Sequence, residues 1–360
     1  MCKSQLIPGN RSFNREELAQ LLANDRNEQD ALFTLAASIK EASVGNIVYF
    51  RGLIEFSNLC SKDCLYCGIR KSNVLAQRYN LSDREIVDAA LYAHQQNYAS
   101  LVLQSGELES RSFTERIIRV LDTIHRETRG ELRITLSLGE QSEDTYRAWN
   151  DHGAHRYLLR IETSNPELYG KLHPEDSRHG FSRRIKALAS LKKIGYQTGT
   201  GVMIGLPFQT FEDLADDLLF MQDFGIDMVG MGPYIEHSET PLYAYRRQLI
   251  PLRERLYLSL RMVALLRILM PDINIAAATA LQAIEKMGRE KAIRVGANVI
   301  MPNITPGIYR DNYKLYDNKP CTDENAEDCT SCLQARIAMT NHAIGFGNWG
   351  DSKFFTDRMR

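Results

Sequence analysis

The feature of this sequence that most restricts its fold is a regular alternation. Short apolar or β-branched runs are separated by amphipathic segments of helical period, with no Pro/Gly/Ser-rich linker, low-complexity tract or internal repeat between them. Such alternation specifies repeated βα units whose strands pair in parallel. Strands are predicted at Tyr49 to Phe56, Ser100 to Gln104, Arg133 to Leu138, Tyr157 to Glu162, Gln197 to Ile204, Met228 to Met231, Ile273 to Ala276 and Asn298 to Met301. Helical periodicity fills Ser82 to Gln96, Phe113 to Glu127, Glu143 to His152, Arg183 to Ile194, Phe211 to Phe224 and Arg253 to Met270. Ser82 and Glu85 have capping-box spacing ahead of Ile86, Ala89 and Ala90. The pattern predicts an α/β chain closed into a (β/α)8 TIM barrel. Residues 1–45 read as a helical extension that closes the barrel's bottom, 46–270 as the core, 271–345 as a barrel-completing region with a second cysteine motif, and 346–360 as a tail.

Composition narrows the partners. With 44% hydrophobic and 25% charged residues, the 360-residue chain has material for a large core. Its 44 basic and 45 acidic residues leave a net charge of -1, so nucleic acid and anionic membrane are not expected partners. The N-terminus lacks a signal-peptide apolar run, and the most apolar helix, around Met262 to Met270, is interrupted by Arg267. A cytoplasmic location is expected, where clustered cysteines ligate metal more often than they form disulfides. Six of the seven cysteines fall in two tight groups, and the isolated Cys2 is read as idle.

Cys60, Cys64 and Cys67 form a CxxxCxxC run directly after the first predicted strand. Strand C-terminal ends carry the active site in barrels, and three thiolates around a cubane leave one iron open to a ligand. The competing reading is a structural zinc knot or three unrelated thiols. It lacks a nearby fourth ligand. The run, with Tyr66 before its last cysteine, resembles the radical SAM superfamily. That resemblance implies a 4Fe-4S cluster whose open iron chelates S-adenosylmethionine (SAM), and catalytic roles for the three cysteines. Gln104, Gly106 and Glu107 after the second strand are similar to the family's segment that receives the methionyl amine. Ser137, Glu162 and Arg184 stand where the family contacts SAM, and Tyr66 belongs to the same cofactor set. Read without the family, these strand-end polar residues either line the barrel mouth or are polar side chains facing solvent.

The second group, Cys321, Cys329 and Cys332, could hold an auxiliary 2Fe-2S or 4Fe-4S cluster, zinc with an outside ligand, or no metal. Arg51 to Asn58, Val102 to Glu107, Thr135 to Glu140, Arg156 to Arg160, Gly205-Leu206-Pro207, Asp227 to Gly230 and Gly296 to Asn303, with the second cysteine spacing, resemble the HydE family of FeFe-hydrogenase maturases. The resemblance implies an organometallic substrate, a cysteine-bound Fe(CO)2(CN) unit delivered by the maturase HydG, with HydF downstream and a reducing electron donor. It also implies substrate contacts from Thr135, Arg156, Arg160, Met228, Thr279 and Tyr316. Arg156 and Arg160, four apart in one strand, share a face; turned inward they would hold cyanide or carboxylate groups, and turned outward they would be helix-packing or surface residues. Ala278-Thr279 departs from the family's expected Thr-Thr pair and removes a hydroxyl from the barrel wall. Two other functions compete. One is a biotin synthase or methylornithine synthase relative acting on an organic substrate, which the second cysteine group disfavours. The other is a non-catalytic Fe-S carrier, which would need none of Glu107, Glu162 and Arg184.

Overall fold

The computed structural model describes residues 13–23, 26–321 and 326–360, without the side chains of 26–28 and 326–331. Cys2 and the Cys329 side chain lie outside the described residues.

Among the described residues, seven parallel strands run in the spatial order Gly52–Ser57, Ser100–Ser105, Arg133–Ser137, Ala154–Leu158, Gln197–Thr200, Met228–Val229 and Asn274–Ile275. The ring then closes. Val299–Ile300 pairs in parallel with Ile47–Phe50, the lower half of the first strand, and its Val299 bridges to Ala276 on the other side. Tyr49 N donates to Asn298 O, and Ala277 N to Val299 O, each at 2.9 Å. The predicted eight-stranded barrel is therefore present. The fourth strand starts at Ala154, earlier than its apolar run suggested, because the left-handed turn at Gly153 already aims the chain along the ladder.

Register sorts the side chains. Ile54, Leu103, Leu136, Tyr157 and Thr198 align across the sheet and form an outward row of buried residues under the helices. Leu53, Val102, Thr135, Arg156 and Gln197 align as an inward layer, with Glu55, Gln104 and Ser137 one layer nearer the strand C-termini. Several helices begin on side-chain caps: the predicted Ser82/Glu85 capping box is formed, and Thr210 with Asp213 makes a second. No described helix is long and apolar enough to cross a membrane.

The barrel bottom departs from expectation. The N-terminal helices Arg15–Ala23 and Arg26–Val44 pack on the flank, against Phe211–Phe224 and Leu252–Leu269. Residues 345–352 form the plug instead. The reason is charge: Arg51 and Arg156 point inward near the strand starts and need acceptors that a helix flank cannot offer. Arg156 is fully buried and donates to Ser100 Oγ (2.7 Å), Trp349 O (2.7 Å) and Asp351 Oδ1 (2.5 Å). Arg51 Nη2 and Asn274 Nδ2 both reach Gly350 O, at 3.0 and 2.8 Å. Gln197 binds the plug twice, through Asp351 Oδ1 (3.0 Å) and the Ser352 N–H (2.8 Å).

Asp351 is thus the counter-charge of a buried arginine, and removing one partner of such a pair leaves the other uncompensated. Asp351→Ala is expected to lower unfolding free energy by about 3 kcal/mol, seen as a reduced urea midpoint. Burial raises the Asp351 pKa, but Arg156 and the Gln197 bond outweigh it and hold the group below the usual carboxylate range. The contribution is therefore complete above the unfolded-state pKa and is lost as pH falls through the depressed native value. The mutant's deficit should shrink in acid.

Candidate active site

The loop that carries Cys60, Cys64 and Cys67 is folded by its neighbours rather than by regular structure. Ser61 N and Oγ both donate to Glu107 O, at 2.8 and 2.9 Å, and Glu107 N donates back to Cys60 Sγ at 3.3 Å. Leu65 N reaches Leu172 O, Gly68 N reaches Leu315 O and Lys71 N returns to Lys62 O. Gly106 permits the closest approach: a Cβ there would lie 2.3 Å from Leu59 O and 2.8 Å from Cys60 Cβ. The Arg78 guanidinium donates to five carbonyls that bracket the loop, those of Asn58, Ile69, Arg70, Lys71 and Asn73. Tyr66 packs edge-on against His173 (5.4 Å) within an apolar cluster of Leu65, Leu168, Leu172, Leu206 and Tyr234. His173, whose pKa burial lowers to about 3, is neutral; its Nδ1–H donates to Tyr169 O and its Nε2 faces the Tyr66 hydroxyl at 3.4 Å. Asp63 N donates to His179 Nε2 (2.9 Å), leaving the His179 Nδ1–H for Asp176.

The three thiols are half-buried and unbridged. Burial pushes all three pKa values up, Cys64 to about 12, and the negative charges of neighbouring thiolates push Cys64 and Cys67 further in the same direction. Three soft thiol donors spaced along one short loop are the donor set that an iron-sulfur cluster takes. No carboxylate oxygen stands among the donors, which separates this set from a hard-cation site.

Behind the loop lies a buried ion cluster. Lys62 Nζ sits 3.1 Å from Glu107 Oε1 and 2.9 Å from Glu140 Oε2, and it also bonds Arg178 O. Arg184 Nε pairs with Glu140, its Nη2 lies 4.0 Å from Glu107, and its Nη1 donates to Arg160 O at 2.7 Å. Glu140 N donates to Glu107 Oε2 (2.9 Å). Gly139 turns at φ +77 so that this bond can form; a Cβ would fall 2.2 Å from Glu107 Oε2. Desolvation raises the Glu107 pKa, whereas Lys62 and Arg184 hold Glu140 below the usual range despite its burial.

At the mouth, Gln104 and Ser137 are register partners on adjacent strands, and Gln104 Nε2 donates to Tyr313 OH at 3.2 Å. Glu162 ends the fourth strand's wall in a left-handed conformation, φ +64, of the kind that concentrates at functional sites. Arg160 meets it in a forked pair, Nε to Oε1 at 3.0 Å and Nη2 to Oε2 at 2.9 Å. Tyr316 and Thr279 are half-exposed; the Tyr316 hydroxyl feels the charges of Glu55, Arg289 and Arg160. Lys319 pins the C-terminal region over the mouth through Glu55 (2.6 Å) and Tyr313 O (2.9 Å).

Deeper, a cavity of about 20 Å³ is lined by Arg51, Val102, Thr135, Met228, Asn274 and Met301, among others. Arg51 Nη1 contacts Met228 Sδ at 3.0 Å, and Thr135 Oγ1 has no protein partner among the described residues. Here the structure separates two residues that the sequence joined. Arg160 lies at the mouth and Arg156 at the plug, because four residues of strand span about 13 Å; a shared face is not a shared site. Cys321 is half-buried at φ +63 with Gln282 Nε2 at 3.8 Å from its sulfur, and Cys332 is exposed. Among the described residues no three His, Cys, Asp or Glu side chains, those of Cys60, Cys64 and Cys67 included, are gathered into a metal-binding group, and the second cysteine group as a trio lies partly outside the described residues.

Lys62, Arg78, Glu140 and His179 were not singled out by sequence reasoning. Lys62 lies inside the cysteine run and Glu140 ends the block Thr135 to Glu140, so position alone could have flagged both.

Residues 54–221 match the Radical SAM superfamily. The chain is 44% identical over 344 residues to the FeFe-hydrogenase maturase subunit HydE of Thermotoga maritima, covering 95% of each. Its fold is similar to the crystal structure of methylornithine synthase (PylB), with TM-score 0.79 and 23% identity over 96% of this chain and 97% of that one. It is also similar to the maturase HydG of Carboxydothermus hydrogenoformans, with TM-score 0.78 and 20% identity over 93% and 76% of the two chains.

Because Gly106 has no room for a Cβ, Gly106→Ala is expected to spread the cysteine loop. Iron and sulfide bound after anaerobic reconstitution should fall several-fold while the far-UV circular dichroism spectrum stays unchanged.

Proposed function

The chain belongs to the radical SAM superfamily and, within it, to the HydE family of FeFe-hydrogenase maturases; from that membership we propose that it modifies a cysteine-bound Fe(CO)2(CN) unit supplied by HydG, for later completion with HydF. The observation that carries this reading is the 44% identity across 95% of both chains, too long a match to leave out the cysteine loop. In this superfamily the 4Fe-4S cluster and SAM, when bound, supply methionine and a 5'-deoxyadenosyl radical.

Each residue then has a task. Cys60, Cys64 and Cys67 hold the cluster, and the Glu107 N–H bond to Cys60 Sγ stabilises the sulfur's negative charge. Gln104, Gly106 and Ser137 line the cofactor end of the mouth, with Tyr66 beside them. Glu162, fixed by the Arg160 fork, presents an orienting carboxylate for SAM. Arg184 supplies positive charge next to the cysteine loop, and Glu107 holds Lys62 and the Glu140 backbone so that this charge stays in place. Arg160 and Tyr316 face the substrate from the mouth, Thr279 from the wall, and Thr135 with Met228 from the cavity beneath. Arg156 acts from further down, by keeping the barrel closed through Asp351. Arg51, the charged residue that lines the cavity, gives it positive charge suited to an anionic iron complex. The C-terminal cysteines are assigned a second Fe-S cluster outside the radical step.

After anaerobic reconstitution, SAM and dithionite should give 5'-deoxyadenosine, and Cys64→Ala should give none above control. Cys329→Ala should leave SAM cleavage nearly intact; its complete loss would reverse the ranking of the two cysteine groups. Arg160→Gln should weaken turnover of the iron complex by at least about tenfold, in line with loss of a charge-assisted contact, with product formation followed by infrared bands of the carbonyl and cyanide ligands. Turnover equal to the parent would remove Arg160 from the substrate site.

A further inference from the structure

The segment just after the cysteine loop carries an exposed feature that neither the cluster nor the barrel uses. Val74 is 90% and Leu75 70% exposed, among the most exposed large apolar side chains described. They sit at the tip of a turn built on the cluster loop itself. Arg70 N donates to Cys67 O (3.1 Å), Asn73 Nδ2 to Gly68 O (2.7 Å), and Leu75 N to Asn73 Oδ1 (3.1 Å). The adjoining turn Gly307–Arg310, whose Tyr309 stacks on Tyr79 at 5.2 Å, adds Ile308 at 79% exposure.

The segment that carries this knob is basic, although Asp63 holds Ser72 within it and Glu85 holds the Tyr309 hydroxyl beside it. From Cys64 to Ser82 there is no Asp or Glu, while Arg70, Lys71 and Arg78 are basic. Asp63 neutralises Arg70 at 2.9 Å, but no carboxylate is paired with Lys71 or Arg78 among the described residues. Arg78 spends its donors on carbonyls, which leaves its full charge on this side of the loop. Exposed aliphatic side chains at a centre flanked by unpaired cations form a surface complementary to an acidic protein with an apolar contact point.

We infer that Val74 and Leu75, with Lys71 beside them, form the docking face for an acidic one-electron carrier protein. The inference rests on the radical SAM reading, because that chemistry consumes one electron per SAM cleaved. One electron leaves the carrier's reduced cofactor, which is oxidised, and enters the cluster held by Cys60, Cys64 and Cys67, which is reduced. No bond forms or breaks at the docking face. The turn offers a route from surface to ligand because its backbone is hydrogen-bonded directly to Cys67 and Gly68.

The test uses the full chain and an acidic flavodoxin as probe. A Val74→Glu/Leu75→Glu variant should bind the flavodoxin at least about tenfold more weakly by titration calorimetry, equivalent to about 1.4 kcal/mol. Wild-type binding should weaken as salt is raised. Val74→Ser/Leu75→Ser, which removes only the apolar contact, should fall between the two. SAM cleavage driven by reduced flavodoxin should drop in the same order, while cleavage driven by dithionite stays at the wild-type rate. Failure of the wild type to bind, equal binding by the Glu variant, or an equal loss under dithionite overturns the assignment. So does a wild-type dimer that the Glu variant abolishes, which would make the patch a self-contact. Binding is read whether or not SAM is cleaved, so absence of 5'-deoxyadenosine under dithionite would count against the radical reading alone.

Discussion

The seat of the cysteine loop in this barrel hangs on a buried lysine. Lys62 lies within the cysteine loop, and its ammonium is held by Glu107 and Glu140, which follow the second and third strands. Arg184, from the helix before the fifth strand, closes the set through Glu140 and reaches the end of the fourth strand at Arg160 O. Four consecutive βα units are thus joined by one group of charges nearly excluded from water. Such clusters add little net stability, because desolvation cancels much of the attraction; removing any one member is what costs, by about 3–5 kcal/mol. What the arrangement does supply is position. A loop without helix or strand is given a fixed seat at the ends of the first four strands.

The fold was largely legible because it follows from periodicity. Each predicted strand found its place in the ring, and the capping box at Ser82 formed as its spacing implied. The cysteine run was legible for a different reason: chemistry-bearing side chains that share one short loop are close in space whatever the rest of the chain does. Gln104 and Ser137 were readable as strand-end residues, and register made them neighbours.

What sequence could not supply was partnership across long separations. Nothing in the spacing of Arg156 indicates that its charge is met by Asp351, nor that the last segment rather than the first helices fills the barrel's lower end. Arg78 belongs to the same class. An arginine in a loop reads as a surface cation until five backbone carbonyls are seen around it. Arg156 in the fourth strand and Arg160 just past its end were misjoined because alternation fixes the face a side chain points to, but not its depth along the axis.

The closure of the ring has a bearing on how the chain reaches this state. The first strand takes one edge partner soon, at Ser100–Ser105, but its other partner, through the Tyr49–Val299 pair, lies about 250 residues away in sequence, a high contact order that slows folding. During synthesis the growing sheet carries two open parallel edges and an unplugged row of inward arginines until the eighth strand and the 345–352 segment emerge. Nascent chains of this protein are therefore most exposed to mispairing in the last stage of translation, and a slow final step that zips the first strand to the eighth would be the event that protects them.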